Sequence, residues 1–300
     1  SDVDLIHYPY FDPFFFTLPR KFQTKTVVTV HDLTPLVFPE RFPPGIEGRI
    51  KWFVQRSRLK KADLIITDSD CSGRDVRNIV GISKDKIRTV YLAAAENFQK
   101  LNTEYFILNT RRKFSLPEKF LLYVGDATWN KNLPKLISAV KKTKHKLVLV
   151  GKVWAGSVSE IPNNPWNEDL RFVLKKIESD GQFIRLGFVS DEDLAKIYNI
   201  ATALIMSSIY EGFGLPVLEA MACGCPVITT RGGSLPEVAG DAVLYVDPES
   251  EENIQEGIER IFNEPKLREE LSKKGLGQAG KFSVEKMMNG LITAYESINH

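Results

Sequence analysis

Two carboxylates, Glu211 and Glu219, flank a pair of glycines in the second half of the chain. Glu211 comes at the end of an apolar run that predicts a buried strand, and Glu219 falls in the first turn of the helix that we expect to follow. Gly212 and Gly214 leave backbone N–H groups uncovered at the positive end of that helix, where a phosphate binds well. The stretch therefore predicts a nucleotide-sugar site, with an anion cradle and two acids that accept hydrogen bonds from sugar hydroxyls.

Further candidate residues also follow predicted strands, which is where open α/β sheets bind their ligands. In the second half they are Lys131, in a loop that begins at Gly125, and the strand end at 187–189. In the first half, His31 follows a run of β-branched residues. Each has an ordinary alternative: Lys131 as an exposed cation, His31 as a structural histidine, and Glu219 as a carboxylate that only stabilises its own helix start.

Composition argues against several classes of protein. The net charge of +2 gives no case for nucleic-acid binding, and the apolar fraction of 43% is ample for packed cores. The three histidines other than His31 stand at no metal-ligand spacing, so no metal site is expected. Cys223 and Cys225 have no second ligand pair and are predicted to be small buried residues, and an odd, low cysteine number fits a reducing cytosol.

Two stretches of the first half would suit a membrane surface. Residues 51–61 predict a helix with cations beside an apolar stripe of Trp52, Phe53 and Leu59, and the loop at 8–16 is rich in aromatic residues. Such a helix can bind an anionic membrane peripherally, although a solvated helix face and a loop packed inward are the more ordinary interpretation. No run is long enough to span a bilayer and no signal peptide is recognised. We expect a cytoplasmic protein, peripheral at the inner face of the membrane if these stretches bind lipid.

The order of predicted elements indicates two α/β domains with parallel sheets. In the first domain, strands alternate with helices. The strands are predicted at 3–7, 26–31, 63–67 and 86–92, and the helices at 49–61 and, with its preceding loop, 69–80. Ser72 is the predicted N-cap of the second helix. A polar segment at 93–118 with one short helix predicts a linker, after which the alternation restarts. We therefore place a partial N-terminal domain with its linker at 1–112 and a C-terminal nucleotide-sugar-binding domain at 113–300, with its last helix a candidate to cross back to the first domain.

Several of these motifs together resemble the retaining glycosyltransferases of family four. The stretch Glu211-Gly-Phe-Gly-Leu-Pro-Val-Leu-Glu219 is similar to the donor-site signature of that family, and residues 27–42 resemble the same enzymes, especially their mannosyltransferases. Shorter similarities lie at 120–125, 187–190 and 234–242. The resemblance implies an α/β protein of GT-B type, with two Rossmann-like doubly wound domains facing a cleft and an N-terminal domain that lacks its first βα units.

The resemblance also implies a role for each candidate residue. Glu211 would hold hydroxyls of the donor sugar, and Glu219 would hold those of the ribose. Lys131 would neutralise the diphosphate, and His31 would face the cleft near the sugar and the attacking hydroxyl. The remaining donor-binding positions, mostly backbone groups, would be Gly125, Gly212, Phe213, Gly214 and Leu215 for the diphosphate or sugar, and Phe188 and Val189 for the base.

The activity that the resemblance implies is the metal-independent, retaining transfer of a hexose from a nucleotide-diphosphate sugar to a glycan or lipid-linked acceptor in polysaccharide biosynthesis. Mannose is the favoured hexose, so GDP-mannose is the favoured donor; it is a substrate, and no cofactor is expected. Fixed N–H donors and a cation would stabilise the leaving diphosphate, while the sugar passes through an oxocarbenium-like state. Glu211 would thus position the sugar rather than attack it. Self-association into an oligomer stays open.

The sequence departs from the family pattern in two respects. The loop after Gly125 carries Asn130 where the family usually has an arginine, and Asp126 where some members have another, so the diphosphate loses a bidentate partner. The chain also begins two or three βα units into the expected N-terminal domain, which would leave its first strand with an open edge, and we expect an upstream segment. Both departures keep an alternative in view: a catalytically silent nucleotide-sugar-binding or scaffold subunit that needs a partner.

Overall fold

Two parallel sheets form the framework of the chain in the computed structural model, which describes residues 3–101 and 104–298. The strands are β1 (Leu5–Tyr8), β2 (Lys25–Val30), β3 (Leu64–Thr67), β4 (Ile87–Thr89), β5 (Phe120–Val124), β6 (Lys146–Val150), β7 (Phe183–Gly187), β8 (Ala203–Met206), β9 (Val227–Thr229) and β10 (Leu244–Tyr245). The helices are α1 (Thr34–Val37), α2 (Gly45–Leu59), α3 (Asp70–Asp75), α4 (Glu104–Phe114), α5 (Leu133–Lys141), α6 (Glu168–Ile177), α7 (Asp191–Ile200), α8 (Leu215–Ala222), α9 (Leu235–Ala239), α10 (Glu251–Asn263), α11 (Pro265–Ala279) and α12 (Val284–Glu296). The α/β class with parallel sheets is as predicted.

The chain folds into two compact units, each with its own sheet. Unit 1 comprises Ser1–Ala93, Glu211–Phe213 and Phe282–His300, and unit 2 comprises Ala94–Tyr210 and Gly214–Lys281. The segment at 94–112, which was expected to belong with the N-terminal domain as a linker, lies in unit 2, because α4 packs against α7 there. Residues 102 and 103 of that predicted linker are outside the described residues.

Unit 1 has a four-stranded sheet in the order β1-β2-β3-β4. Both faces are covered: Val28, Val30 and Ile65 pack with residues of α2 and the turn after α3 on one side, while Val27, Leu64 and Ile66 pack against α12 on the other. This double burial explains why β2 has consecutive apolar and β-branched residues rather than an alternating pattern. Helix α12 thus completes the core of unit 1.

Unit 2 has a six-stranded sheet in the order β10-β9-β8-β5-β6-β7, and all of its pairings are parallel. The chain runs outward from β5 to β7, returns to the middle at β8, and then runs outward the other way. The direction therefore reverses between β5 and β8, and the loops that leave their carboxyl ends border the crevice in which doubly wound sheets bind ligands.

Two helix starts differ from the sequence-based prediction. Ser72 is not the cap of α3; Ser69 has the extended backbone of an N-cap, and its Oγ accepts a hydrogen bond from the Ser72 amide at 3.0 Å. Helix α8 begins at Leu215, so Glu219 is its fifth residue and not part of the first turn. Glu219 therefore does not stabilise the start of its own helix.

Candidate functional site

The loop at 125–132, which follows β5, is joined to the segment that follows β8 by a ladder of hydrogen bonds. The Ile209 amide donates to the Asn130 carbonyl at 2.7 Å, and the Asn130 side-chain amide donates to the Tyr210 carbonyl at 3.0 Å. Asn130 is buried. At the position where the related enzymes were expected to carry a phosphate-binding arginine, this chain has a residue that ties the two loops together.

The backbone of Lys131 is held by the same ladder. The Ser207 hydroxyl donates to the Lys131 carbonyl at 3.2 Å. The next residue, Asn132, has a left-handed backbone with φ of 55° and donates from its side chain to the Ser207 carbonyl at 3.2 Å and the Pro248 carbonyl at 2.8 Å. Asparagine tolerates that conformation better than most residues. The backbone of Lys131 is thus part of a fixed turn at the switch point.

The beginning of the loop is also braced. The Trp154 indole donates to the Gly125 carbonyl at 3.0 Å, and the Tyr123 hydroxyl donates to the Asp126 carbonyl at 2.6 Å. The Asp126 carboxylate accepts hydrogen bonds from the amide and the hydroxyl of Thr128, at 3.2 and 2.9 Å. Asp126, the second departure from the expected arginine pattern, therefore builds the turn.

Gly214 is the N-cap of α8, and its position accepts only a residue without a side chain. Its φ is 93°, and a Cβ there would lie 2.8 Å from Cδ2 of Leu235. Pro216 is the second helical residue, where its missing N–H costs no helical hydrogen bond. The predicted anion cradle at Gly214 and Leu215 therefore has the geometry of a helix N-terminus approached by bare backbone.

Residues 211–213 lie in unit 1. Glu211 and Phe213 are buried. The Gly212 carbonyl accepts hydrogen bonds from the hydroxyls of Ser69 and Ser72, at 2.6 and 3.2 Å. A Cβ on Gly212 would be 2.6 Å from the Cβ of Asp32, so the close approach requires glycine.

Glu219 has an environment that perturbs its proton affinity. Burial raises the pKa of its carboxyl to about 7, the nearby Asp191 adds to that rise, and a hydrogen bond from Tyr198 opposes it. The Tyr198 hydroxyl, on a fully buried ring, donates to Oε2 of Glu219 at 3.0 Å. A carboxyl that is half ionised near neutral pH and fixed by one oxygen can present the other oxygen to ligand hydroxyls.

The end of β7 supplies the predicted base-binding segment. Gly187 ends the strand with φ of 67°, Phe188 is 69% exposed, and Val189 is buried. The ammonium group of Lys152 lies 5.6 Å from the centre of the Phe188 ring. Phe188 thus presents an accessible aromatic ring at the carboxyl end of a strand, while Val189 anchors the segment.

His31 lies in unit 1 with both ring nitrogens engaged. Nδ1 is 2.7 Å from the buried carboxylate of Asp68, and Nε2 is 3.0 Å from the Pro9 carbonyl. The hydrogen bond to Asp68 is the main reason that the pKa of His31 is raised, and partial burial opposes the rise. Because a carboxylate and a carbonyl both accept, this arrangement favours an imidazolium that donates from both nitrogens.

Sequence reasoning missed two partners of the predicted residues, Asp68 and Tyr198. A signal existed for Asp68: His31 directly follows β2 and Asp68 directly follows β3, and these strands pair in parallel, with Val30 opposite Thr67. When two neighbouring strands are parallel, their carboxyl ends lie side by side, so the residues that follow them are close together. No signal existed for Tyr198, which reaches Glu219 only through the packing of α7 on α8.

Cys223 and Cys225 are buried, as predicted, and burial raises the pKa of the Cys223 thiol to about 12. Among the described residues no group of three or more histidine, cysteine, aspartate or glutamate side chains could hold a metal ion. Within the same ranges, none of the helices has both the length and the apolar character needed to cross a bilayer.

Two family models match the sequence. The model described as "Glycosyl transferases group 1" matches residues 108–278, and the model described as "Glycosyltransferase Family 4" matches residues 1–94. The first model covers most of unit 2, with the switch point, and the second covers the whole of the first segment of unit 1, Ser1–Ala93.

Among curated proteins, the chain is 32% identical to the O-antigen chain mannosyltransferase B of Escherichia coli, over 98% of this chain and 75% of that protein. It is 30% identical to the serotype-specific mannosyltransferase WbdA of Escherichia coli over 86% of its own length, but spans only 32% of that longer protein. Among solved structures, the sucrose-phosphate synthase of Thermosynechococcus elongatus has a TM-score of 0.77 at 24% identity, over 93% of this chain and 69% of that one. The structural likeness supports the GT-B type of fold.

Proposed function

This chain belongs to the group 1 glycosyltransferases, and from that starting point we propose that it transfers mannose from GDP-mannose to a glycan or lipid-linked acceptor during the synthesis of a cell-surface polysaccharide. The observation that carries the proposal is the relation to an O-antigen mannosyltransferase along 98% of the chain. The structure adds support, because the loops after β5 and β8 are tied together at the point where the strand order reverses.

The reaction breaks the bond between the anomeric carbon of mannose and the diphosphate, and joins that carbon to an acceptor hydroxyl oxygen. Negative charge grows on the leaving diphosphate, and fixed groups that meet it lower the barrier. Lys131 and the amides at the start of α8 are the groups that we assign to this task, without a metal ion. The acceptor proton passes to the leaving phosphate on the same face of the sugar, so the configuration is retained.

Glu211 and Glu219 bind the donor in this proposal and do not attack it. Glu211 holds sugar hydroxyls and Glu219 holds those of the ribose. His31 acts by position rather than as a base, because both of its ring nitrogens are already engaged, Nδ1 with the Asp68 carboxylate and Nε2 with the Pro9 carbonyl, and neither is left to accept the acceptor's proton.

The test is Glu211→Ala in the full chain, with Glu192→Ala on the exposed start of α7 as the matched control. We expect the first variant to lose transfer from GDP-mannose by a factor of at least about 100, the size of effect seen when one fixed transition-state contact is removed, while circular dichroism and cooperative thermal unfolding show that the chain still folds. The control should keep wild-type rates. Full activity of the Glu211 variant with every donor would refute the role of Glu211.

A second candidate function is a nucleotide-sugar-binding subunit without its own catalysis. The observation that favours it is Asn130, whose side chain is committed to the Tyr210 carbonyl and leaves the diphosphate without an arginine fork. Transfer and donor hydrolysis by the isolated chain distinguish the two. Tight GDP-mannose binding with neither reaction, in the presence of lipid-linked acceptors, would select the subunit.

We also propose peripheral contact with an anionic membrane through unit 1. The apolar stripe predicted on α2 is not one exposed face, because Leu59 is buried and Trp52 packs against the core of unit 1. Phe53 instead shares a face with Ile46 and Ile50, and these three are 77%, 82% and 60% exposed. Phe15 and Phe16 are exposed nearby, with the cations of Lys51 and Arg58 over their rings. Apolar side chains interspersed with cations suit the interface of an anionic bilayer.

Co-sedimentation with vesicles tests this contact. The full chain should bind vesicles rich in phosphatidylglycerol more strongly than phosphatidylcholine vesicles, and the double change of Ile50 and Phe53 to serine should weaken binding at least tenfold. Phe172→Ser, at an equally apolar but isolated exposed position of unit 2, is the control. Equal binding by all three proteins, or none to either vesicle, would contradict the proposal.

A further inference from the structure

A cavity of about 600 Å³ lies in unit 2 at the amino ends of the strands, whereas the loops described above follow their carboxyl ends. Three of its lining residues directly precede strands: Lys119 precedes β5, Thr202 precedes β8, and Pro226 precedes β9. The candidate donor site follows the other ends of β5 and β8. Strands of four or five residues span roughly 15 Å, so the cavity is separate from that site.

The lining of this cavity is strongly basic. Five cationic side chains contribute to it, against two carboxylates; the cations are Lys100, Arg111, Lys119, Arg268 and Lys273, and the carboxylates are Glu118 and Glu269. In the described part of the chain none of these seven side chains forms an ion pair within 4.0 Å, whereas Lys274, the neighbour of Lys273 in α11, pairs with Glu270 at 2.8 Å. The whole chain has a net charge of only +2, so this concentration of unpaired cations is local.

The two arginines are held in place by backbone carbonyls. Arg111 donates from Nη2 to the Glu118 carbonyl at 2.8 Å, and Arg268 donates from Nη1 to the carbonyls of Ile261 and Phe262, at 2.6 and 3.0 Å. The Nε of Arg111 is buried and has no hydrogen-bond partner among the described residues. A buried N–H without an acceptor is costly, so the position of the Arg111 side chain is not explained by hydrogen bonding within unit 2 alone.

Capping of helix ends by cations is the ordinary explanation of such a cluster. Such capping explains Nη2 of Arg111 and Nη1 of Arg268, which donate to backbone carbonyls. It does not account for Lys100, Lys119 and Lys273, which come from three different segments and make no such contact among the described residues. Convergence of cations from separate segments on one concave surface is what recognition of a phosphate group requires.

We propose that this cavity binds a phosphate-bearing small molecule, a diphosphate or a sugar phosphate, independently of the donor site. The lysines supply charge and the arginine forks supply directed N–H groups. The Thr202 hydroxyl accepts from the Phe120 amide at 3.1 Å, so its own proton remains available to donate to the ligand. Pro226 and Leu276 provide apolar surface for the face of a sugar ring, and the volume is within the range of small-ligand pockets.

Titration calorimetry of the full chain with inorganic pyrophosphate tests the proposal. The double variant Lys119→Ala with Lys273→Ala should lose the cavity-bound pyrophosphate, with an apparent Kd at least tenfold weaker. Lys274→Ala, which changes the adjacent, ion-paired lysine, should bind as the wild type does. Lys131→Ala should keep the cavity-bound pyrophosphate, because Lys131 follows the carboxyl end of β5 and the cavity lies at the amino ends of the strands.

Two results would overturn it: wild-type affinity in the double variant, or loss of all pyrophosphate binding in Lys131→Ala. The lysines changed at the cavity are exposed, so unchanged thermal unfolding should accompany the loss of binding. A second arm identifies the source of the phosphate. Co-sedimentation with phosphatidic acid vesicles that is lost in the double variant but kept in Lys274→Ala assigns a lipid head group, and binding of free pyrophosphate alone assigns a soluble ligand.

Discussion

Replacing Tyr198 by phenylalanine would remove one hydroxyl group from a buried pair and keep the aromatic ring. The ring of Tyr198 is fully buried and lies edge-on to Phe98, with 5.9 Å between ring centres. Its hydroxyl donates to Oε2 of Glu219 at 3.0 Å. The variant therefore tests a single hydrogen bond to a carboxyl that we assign to the ribose of the donor.

The size of the effect follows from the pKa of Glu219. Burial raises that pKa to about 7 from 4.5, and the bond from Tyr198 is the influence that lowers it. A hydrogen bond to a charged group contributes about 1.5–3 kcal/mol, and one pKa unit corresponds to about 1.4 kcal/mol. Loss of the bond should thus raise the pKa of Glu219 by about one to two units, and at pH 7 the ionised fraction should fall from about half to about a tenth or less.

The other groups that face Glu219 leave this reasoning intact. On α7, Asp191 raises the pKa of Glu219 in the wild type and in the variant alike. At the end of α8, burial raises the pKa of Cys223 to about 12, and burial also raises the pKa values of Tyr198 and Cys225. These three groups remain neutral between pH 6 and 9, so among the groups around Glu219 it is Glu219 itself that titrates. The terminal phosphate of GDP also titrates, at about pH 6, but it does so equally with both proteins.

The assay is the Kd of GDP as a function of pH, measured by titration calorimetry between pH 6 and 9. Wild-type affinity should rise with pH through a midpoint near 7, because an ionised carboxylate accepts ribose hydroxyls more strongly, and in Tyr198→Phe that midpoint should move up by one to two units. Tyr245→Phe is the control, since its hydroxyl donates to the Gly240 carbonyl at 2.6 Å and not to a carboxylate. An unchanged midpoint in Tyr198→Phe would refute the reasoning, even if the variant were less stable.

Three further predictions concern other parts of the site. Gly214→Ala should lower the free energy of unfolding by about 1–3 kcal/mol, since φ is 93° and a Cβ would meet Leu235 at 2.8 Å; urea unfolding with an unchanged midpoint would contradict this. Asp68→Asn should lower the pKa of His31, observed by NMR titration, and should destabilise the protein more at pH 5 than at pH 8, because a raised histidine pKa stabilises the fold only below it; equal losses at both pH values would argue against a charged pair. Asn130→Ala should weaken GDP binding severalfold, because the loops after β5 and β8 lose a hydrogen bond of about 1 kcal/mol, and wild-type affinity would show that this bond does not position the site.

The identity of most elements follows from the sequence, for a local reason. Consecutive β-branched residues before His31 predict a strand covered on both faces, and β2 is buried against α2 on one side and α12 on the other. The apolar run before Glu211 likewise predicts β8. Such runs can be recognised because a strand that is covered on both faces buries consecutive residues, which must then be apolar or β-branched. The reversal of strand order between β5 and β8, where we place the candidate site, follows too once the strands after residue 120 are taken as a doubly wound sheet.

The sequence is less informative where a helix begins. It placed the cap of α3 at Ser72 and Glu219 in the first turn of α8, whereas Ser69 is the cap and Glu219 is the fifth helical residue. Serine is a good cap at either position, so the choice depends on which one has an extended backbone. In the folded chain Ser69 has that backbone, and the hydroxyls of Ser69 and Ser72 both donate to the Gly212 carbonyl, a contact between residues far apart in the chain that the local sequence does not reveal.

The sequence by itself determined the α/β class, the family and the residue types available to the candidate donor site. Only the tertiary structure decided what several of those residues do. His31 becomes a histidine favoured in its charged form because Asp68 follows the neighbouring strand, Glu219 acquires a pKa of about 7 because α7 places Tyr198 and buried surface around it, and Asn130 becomes a tie between two loops. Proton affinity and hydrogen-bond partners depend on which groups surround a side chain in space, and the order of residues does not specify that until the chain has folded.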